Sequence, residues 1–204
     1  MLNSNDLAGL TRQLELHATI LIGFVGFLWI LELFDSIFLR GALNRYGIRP
    51  RTSEGILGIV FAPLLHGNLR HLATNTVPLI VLGWLIMLRQ TSDFFIVTAI
   101  AWLISGVGVW LFGSPRTNHI GASGLVFGYF GFLLLRGYFE QSAIAILIAV
   151  VVGLLYGSLI WGVLPLRRGM SWQGHLFGFA GGGLAAKYLP QLQQVFEELV
   201  IGNQ

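Results

Sequence analysis

The sequence of 204 residues has no cysteine, which excludes disulfides, thiolate nucleophiles and thiolate-bound metals. Charge is scarce as well. Only 10% of the residues are Asp, Glu, Lys or Arg, against about 25% in an ordinary soluble domain. A His-Glu-x-x-His run is missing, and the five histidines offer no metal-ligand spacing with a carboxylate, so no metal site is expected. The only aspartates are Asp6, Asp35 and Asp93, which leaves no pair inside apolar runs to form an aspartyl dyad. The net charge is only +3, and the basic residues are scattered rather than interleaved with aromatics. Nucleic acid is therefore not an expected partner. Internal repeats and low-complexity linkers are also lacking.

Apolar residues fill the space. Hydrophobic side chains make up 55% of the chain and the mean hydropathy is +0.75. Gly is abundant at 27, without a collagen-like period, which in an apolar chain points to helices packed on small residues. Charged residues divide the chain into six candidate spans: 18–39, 71–88, 94–112, 120–135, 143–166 and 172–186. Each approaches the roughly 20 residues that cross a bilayer as a helix, and helices are required because lipid offers the backbone no hydrogen-bond partners. The last span is short, but Lys187 can snorkel.

The first seventeen residues carry Asp6, Arg12 and Glu15, and the apolar run after them is longer than a signal-peptide core. It reads as a retained span. The length fits one domain. The expected organisation is an N-terminal segment (1–17), a six-helix membrane domain (18–189) and a polar tail (190–204) forming a short surface helix. The long first connection, 40–70, contains ILGIVFAPLL at 56–65. That run is apolar but too short to cross, so it is expected to lie in the interface or dip partly into the membrane. Long loops of this kind are uncommon unless functional.

Polar side chains inside spans are costly and are candidate functional groups. Four stand out: His71 and Asn75 opening the second span, Ser123 opening the fourth, and His175 near the start of the sixth. Even-numbered spans run in the same direction, so all four share one depth near one membrane face. Ser123 lies in Gly121-Ala122-Ser123-Gly124, whose small residues leave the hydroxyl open. Gly178 and Gly182 fall on the helical face of His175, and Gly124, Gly128 and Gly131 line the fourth span. Close backbones would let a short Ser side chain reach a His on another helix, within about 2.6–3.2 Å. His71 and Asn75 share a face one turn apart and can donate hydrogen bonds to a developing oxyanion. Taken singly, each has an ordinary explanation as packing, as a helix-bonded Ser, or as polar glue between helices. Together their shared depth and complementary roles point to acyl transfer by a Ser–His pair. No carboxylate is placed to orient His175, so a dyad is expected rather than a triad. Asp93, Arg89, Arg136 and Glu140 read as brackets of short loops, Glu32 and Asp35 as interfacial, and His17 as preceding the first span. His119 is close enough to Ser123 to be a candidate for substrate contact.

At these residues the chain resembles the rhomboid family of intramembrane serine proteases. His66-Gly-Asn-Leu-Arg-His71-Leu-Ala-Thr-Asn75 is similar to the family's His…His…Asn motif. Gly121-Ala-Ser123-Gly124 is similar to Gly-x-Ser-Gly, and His175-Leu-Phe-Gly178-Phe-Ala-Gly-Gly182 to His-x-x-Gly-x-x-x-Gly. The resemblance covers roughly residues 18–189. It implies Ser123 as nucleophile and His175 as base, and His71, Asn75 and the Ser123 backbone N–H as oxyanion donors. His66, Gly121, Gly124, Phe127, Gly178 and Gly182 become structural neighbours of the site. The resemblance further implies a first loop partly within the membrane, no cofactor, and a membrane-protein substrate cut in or near its own transmembrane helix. The setting it implies is a prokaryotic plasma membrane with both termini cytoplasmic. Two departures stand out. The family's Trp-Arg pair in the first loop is missing, and Phe127 stands where Tyr is common, so a ring without a hydroxyl would stack on His175.

The charge pattern opposes that orientation. Loops on the Ser123 side hold Arg40, Arg45, Arg49, Arg51, Arg70, Arg116, Arg167 and Arg168, and the other side holds Arg12, Arg89, Arg136 and Lys187. Cytoplasmic loops are normally the basic ones. Arginines of an embedded first loop would instead meet lipid headgroups. The alternatives to a protease are an inactive rhomboid-like module that binds or chaperones membrane clients, and a small transporter.

Overall fold

The computed structural model describes residues 4–166 and 169–202; Arg167 and Arg168 lie outside the described residues. Among the described residues the fold is all-helical, with one isolated antiparallel bridge between Ile48 and His119. The helices are α1 (Ser4–Phe34), α2 (Ser53–Phe61), α3 (Leu69–Met87), α4 (Thr91–Phe112), α5 (Ser123–Glu140), α6 (Ala143–Tyr156), α7 (Trp172–Lys187) and α8 (Leu189–Ile201).

Four helical stretches are long and apolar enough to cross a membrane: Asp6–Leu39, Leu69–Met87, Thr91–Phe112 and Ala143–Val163. This is an integral membrane protein. The two remaining bundle helices differ in kind. α5 carries Arg136 and Glu140, and α7 has only 16 residues. Both lie inside, shielded by the others. α5 buries Tyr129, Phe130, Phe132 and Leu133, and α7 turns a face of buried glycines toward it. Lipid is as apolar as the core, so this seam is held by close packing rather than by expulsion of water. A Cβ on Gly178 would collide with the Gly124 carbonyl, and one on Gly182 with the Gly128 carbonyl.

α1 begins at Ser4, well before the apolar run that starts at 18. At 1.5 Å per residue its 31 residues reach about 46 Å, longer than the roughly 30 Å of hydrocarbon. The inner face of α1 buries Leu21, Val25 and Leu28 in the core that also holds Leu72, Leu79 and Leu82 of α3. His17 is buried rather than peripheral, with Nε2 3.0 Å from Thr91 Oγ1 at the start of α4. The helix runs through a π-helical turn, Asp35–Leu39, and stops at Arg40 in left-handed backbone (φ 55°).

The first connection is a structured element. After a 3-10 turn (Ala42–Tyr46), Thr52 caps α2 by accepting from Gly55 N. α2 presents Ile56, Leu57, Val60 and Phe61 outward. Two tryptophans of α4 hold its backbone: Trp102 Nε1 donates to Ile59 O (2.8 Å) and Trp110 Nε1 to Thr52 O (2.9 Å). Anchoring of the first connection thus comes from α4. At the far end, α8 is the surface helix expected for the tail. Gln193 on α8 bonds Asp93 on α4.

Candidate active site

Ser123 is the first residue of α5, because the chain arrives there through Gly121, whose φ of 115° few residues other than glycine adopt. Gly121 is also packed against His71, whose Cε1 would lie 2.6 Å from any added Cβ. The turn is tied to the first loop: Gly121 N donates to Ala62 O (2.8 Å), and Ile48 and His119 exchange backbone bonds of 2.9 and 3.0 Å. Buried His66 completes the attachment, its Nε2 accepting the Ala122 N–H at 3.3 Å. The N–H groups of Ser123 and Gly124 stand at a helix start, where no preceding turn offers them a carbonyl.

His175 sits one turn into α7, buried at 6% exposure. Its Nδ1 is 2.9 Å from the Gly162 carbonyl oxygen. A carbonyl only accepts, so Nδ1 carries the proton in the neutral ring and Nε2 keeps a free lone pair. That Nε2 lies 3.0 Å from Ser123 Oγ, and the hydroxyl therefore donates to it. Phe127 stacks on the imidazole, with ring centroids 4.0 Å apart and planes 3° from parallel. Sequence reasoning missed Gly162. It lies in a 3-10 segment, Gly157–Val163, that continues α6. A carbonyl acceptor is common to every residue, so the one signal was the missing side chain: a Cβ there would meet Phe127 Cζ at 2.5 Å.

Asn75 is buried at 6% exposure, and its Nδ2 has no hydrogen-bond partner. A buried donor without a partner costs free energy unless something visits it. His71 is half-buried, its ring 5.2 Å from that of His66. Asn68 starts α3 by accepting from His71 N (2.9 Å), which fixes the face that His71 and Asn75 share. Beside Ser123 opens a small cavity of about 30 Å³, lined by Ile48, Pro63, Trp102, Val109 and Gly121 among others. Ser105 donates to Gly174 O (2.9 Å) and so ties α4 to the start of α7.

His119 has both ring nitrogens engaged. Thr117 Oγ1 gives its proton to Ser114 O, so it accepts from His119 Nε2 (2.7 Å). Ser171 Oγ then donates to Nδ1 (2.6 Å). Burial holds this imidazole below its ordinary pKa, which suits the accepting nitrogen. Ser171 is the residue before α7, and its carbonyl accepts His175 N (3.2 Å). His119 thus joins the approach to Ser123 with the approach to His175. Among the described residues no cluster of His, Asp or Glu could hold a metal.

Fold and site together define a helical integral membrane protein with a hydrogen-bonded Ser–His pair at one end of its bundle. The family model for the Rhomboid domain matches residues 53–191, and the chain belongs to the rhomboid family. It is 44% identical over 180 residues to an uncharacterized protein of Mycobacterium tuberculosis, covering 84% of this chain and 74% of that protein. A Mycobacterium leprae relative, also uncharacterized, is 42% identical over 177 residues, covering 83% of this chain and 70% of that protein.

Proposed function

We propose that this protein is an intramembrane serine endopeptidase that cleaves transmembrane segments of other membrane proteins. The observation that carries the proposal is the relay from Ser123 Oγ to His175 Nε2 (3.0 Å) and from His175 Nδ1 to the Gly162 carbonyl (2.9 Å). Ser123 Oγ attacks the scissile carbonyl carbon as its proton passes to Nε2. The Gly162 carbonyl takes the orienting part that a carboxylate plays in a triad, so the imidazolium forms in place. Negative charge on the carbonyl oxygen is met by Asn75 Nδ2, the Ser123 N–H and His71. Collapse breaks the C–N bond, and the amine leaves with the proton from His175. Water then attacks the acyl carbon, giving a proton to the same Nε2; collapse breaks the bond to Ser123 Oγ, which takes that proton back from His175 as the acid leaves.

In this reading α5 and α7 also traverse the bilayer, which brings the spans to six. The substrate helix must unwind at the cut, because a hydrogen-bonded helix hides its carbonyl carbons. The protein resides in the plasma membrane with both termini cytoplasmic. Purified enzyme labelled with a fluorophosphonate probe should react at Ser123. Ser123→Ala and His175→Ala should each abolish labelling and cleavage of a model membrane substrate. The double variant should be no worse than either, since the two residues act as one unit. Cleavage retained by purified Ser123→Ala would end the reading. Correct folding with neither labelling nor cleavage would favour a client-binding module.

A further inference from the structure

The end of the bundle that holds Ser123 has an uneven surface charge. Arg40, Arg45, Arg49, Arg51, Arg70 and Arg116 are all exposed there. The acidic groups of that end do not balance them. Glu54 is exposed, but Glu32 and Asp35 are buried, where Glu32 accepts from Ser36 Oγ and Asp35 from Leu43 N. Among the described residues none of the six arginines forms an ion pair. At the opposite end, exposed Arg12, Arg89 and Lys187 are balanced by exposed Asp6, Glu15, Glu197 and Glu198.

A second, independent observation concerns the backbone. Four non-glycine residues have positive φ among those described, and three are arginines of this end: Arg40 (55°), Arg51 (57°) and Arg116 (62°). Glycine occupies such positions without steric cost, and this chain uses glycine freely. Arg51 Nη1 donates to Leu111 O (2.8 Å), which gives that side chain a local use. Among the described residues no such bond holds Arg40 or Arg116, where arginine in place of glycine points to a use outside the protein.

The neighbours of these arginines indicate the partner. Phe38, Tyr46, Leu57, Leu69 and Phe112 are large and exposed at this end. Phe38, Tyr46 and Leu69 lie within two residues of Arg40, Arg45 and Arg70 in the chain, and the Arg45 guanidinium lies over the Tyr46 ring. In a membrane protein such side chains face acyl chains. Guanidinium groups next to such side chains would reach lipid phosphates, which arginine binds in forked geometry. The cavity at Ser123 has no arginine in its lining, so the charge sits on the rim and not in the cleft where a substrate would lie. We infer that these six arginines form a collar for anionic phospholipids of the leaflet around the active-site end. The inference rests on membrane insertion and not on proteolysis. It also explains why this end is basic whichever way the chain inserts: anchored at headgroups, the arginines need not follow the cytoplasmic bias of loop charges.

The test is the thermal unfolding midpoint of the full chain in vesicles of phosphatidylcholine alone or mixed equally with phosphatidylglycerol, at low and high salt. Phosphatidylglycerol should raise the midpoint, and salt should shrink the rise. Arg40→Gly/Arg116→Gly should keep or raise the midpoint in neutral vesicles, where it relieves left-handed backbone, and lose a large part of the phosphatidylglycerol rise. Arg12→Gln/Lys187→Gln should retain the whole rise. The same pattern in a Ser123→Ala background would show that it is independent of catalysis. A full rise in the Arg40/Arg116 variant would overturn the inference, as would its loss in the Arg12/Lys187 variant. An equal rise with soluble glycerol phosphate, or with an acidic peptide in neutral vesicles, would also overturn it, by assigning the collar to a solute or a substrate.

Discussion

At the end of the bundle away from Ser123, the buried charges are all matched. Asp93 is fully buried, yet its Oδ2 accepts from Arg136 Nη1 (3.0 Å) and its Oδ1 from Gln193 Nε2 (2.6 Å). Arg136 Nε reaches Glu140 Oε2 (2.7 Å), and Glu140 also takes Ser142 Oγ (2.6 Å) and Arg89. One network ties α4, α5 and α8. The Ser123 end is built the other way. It too buries carboxylates, Glu32 and Asp35, but they accept from Ser36 Oγ and Leu43 N instead of from an arginine, and Asn75 Nδ2 has no hydrogen-bond partner. A charged network can be buried when each member is satisfied. A site that must receive a carbonyl oxygen has to hold donors in reserve, and it holds them at some cost in stability. The two ends therefore divide in kind: one ties helices together through matched charges, and the other holds the Ser123–His175 pair and an unpartnered Asn75 donor.

Four substitutions test that division, beginning with the largest effect. Arg136→Ala would strand the Asp93 carboxylate and should cost about 3–5 kcal/mol of stability. Turnover per folded molecule should be unchanged. Unfolding in detergent, read beside rates normalised to folded protein, measures both, and a selective fall in rate would mean that the ends are coupled. Gly178→Val acts on the seam between the ends. Its side chain would strike the Gly124 carbonyl, one residue after Ser123, at about 1–3 kcal/mol or more. Activity and melting temperature should fall together, and a stable, active variant would dismiss the close-packing account of α5 and α7.

Asn75→Ala should show the reverse of Arg136→Ala. Turnover should drop by about 10²-fold or less, since backbone donors remain. The melting temperature should hold or rise, because the lost donor had no partner in the resting protein. A wild-type rate with a lowered melting temperature would return Asn75 to a packing role. The smallest effect is expected at Phe127, stacked on His175. Phe127→Leu should lower turnover by about tenfold or less, in line with the roughly 0.5–1.5 kcal/mol of an aromatic pair, while Phe127→Tyr should keep the rate. Equal losses in Leu and Tyr variants would show that ring stacking is not the contribution.

Much of the Ser123 end could be read from the chain. His71 and Asn75 announce a shared face by their spacing, and Ser123, His175 and the Gly178–Gly182 stripe announce themselves by being polar or small where lipid-facing residues should be large and apolar. Asp93, Arg136 and Glu140 read from the chain as brackets of short loops, and Glu32 and Asp35, at the Ser123 end, as interfacial; neither reading reveals their burial. All but the half-buried Glu140 are buried. Whether a charge is buried depends on partners from distant parts of the chain, here 43 residues away for Asp93 and Arg136 and 100 for Asp93 and Gln193.

Sequence alone determined the solvent, the helical class and the chemically unusual side chains, since those follow from composition and local period. Only the tertiary structure decided that the Gly162 carbonyl orients His175, that Trp102 and Trp110 hold the first loop, and that His119 joins two helix starts through Ser171. In each case the deciding group is a backbone carbonyl or a common side chain. Such groups acquire a role only when folding brings a specific donor or acceptor to hydrogen-bond distance.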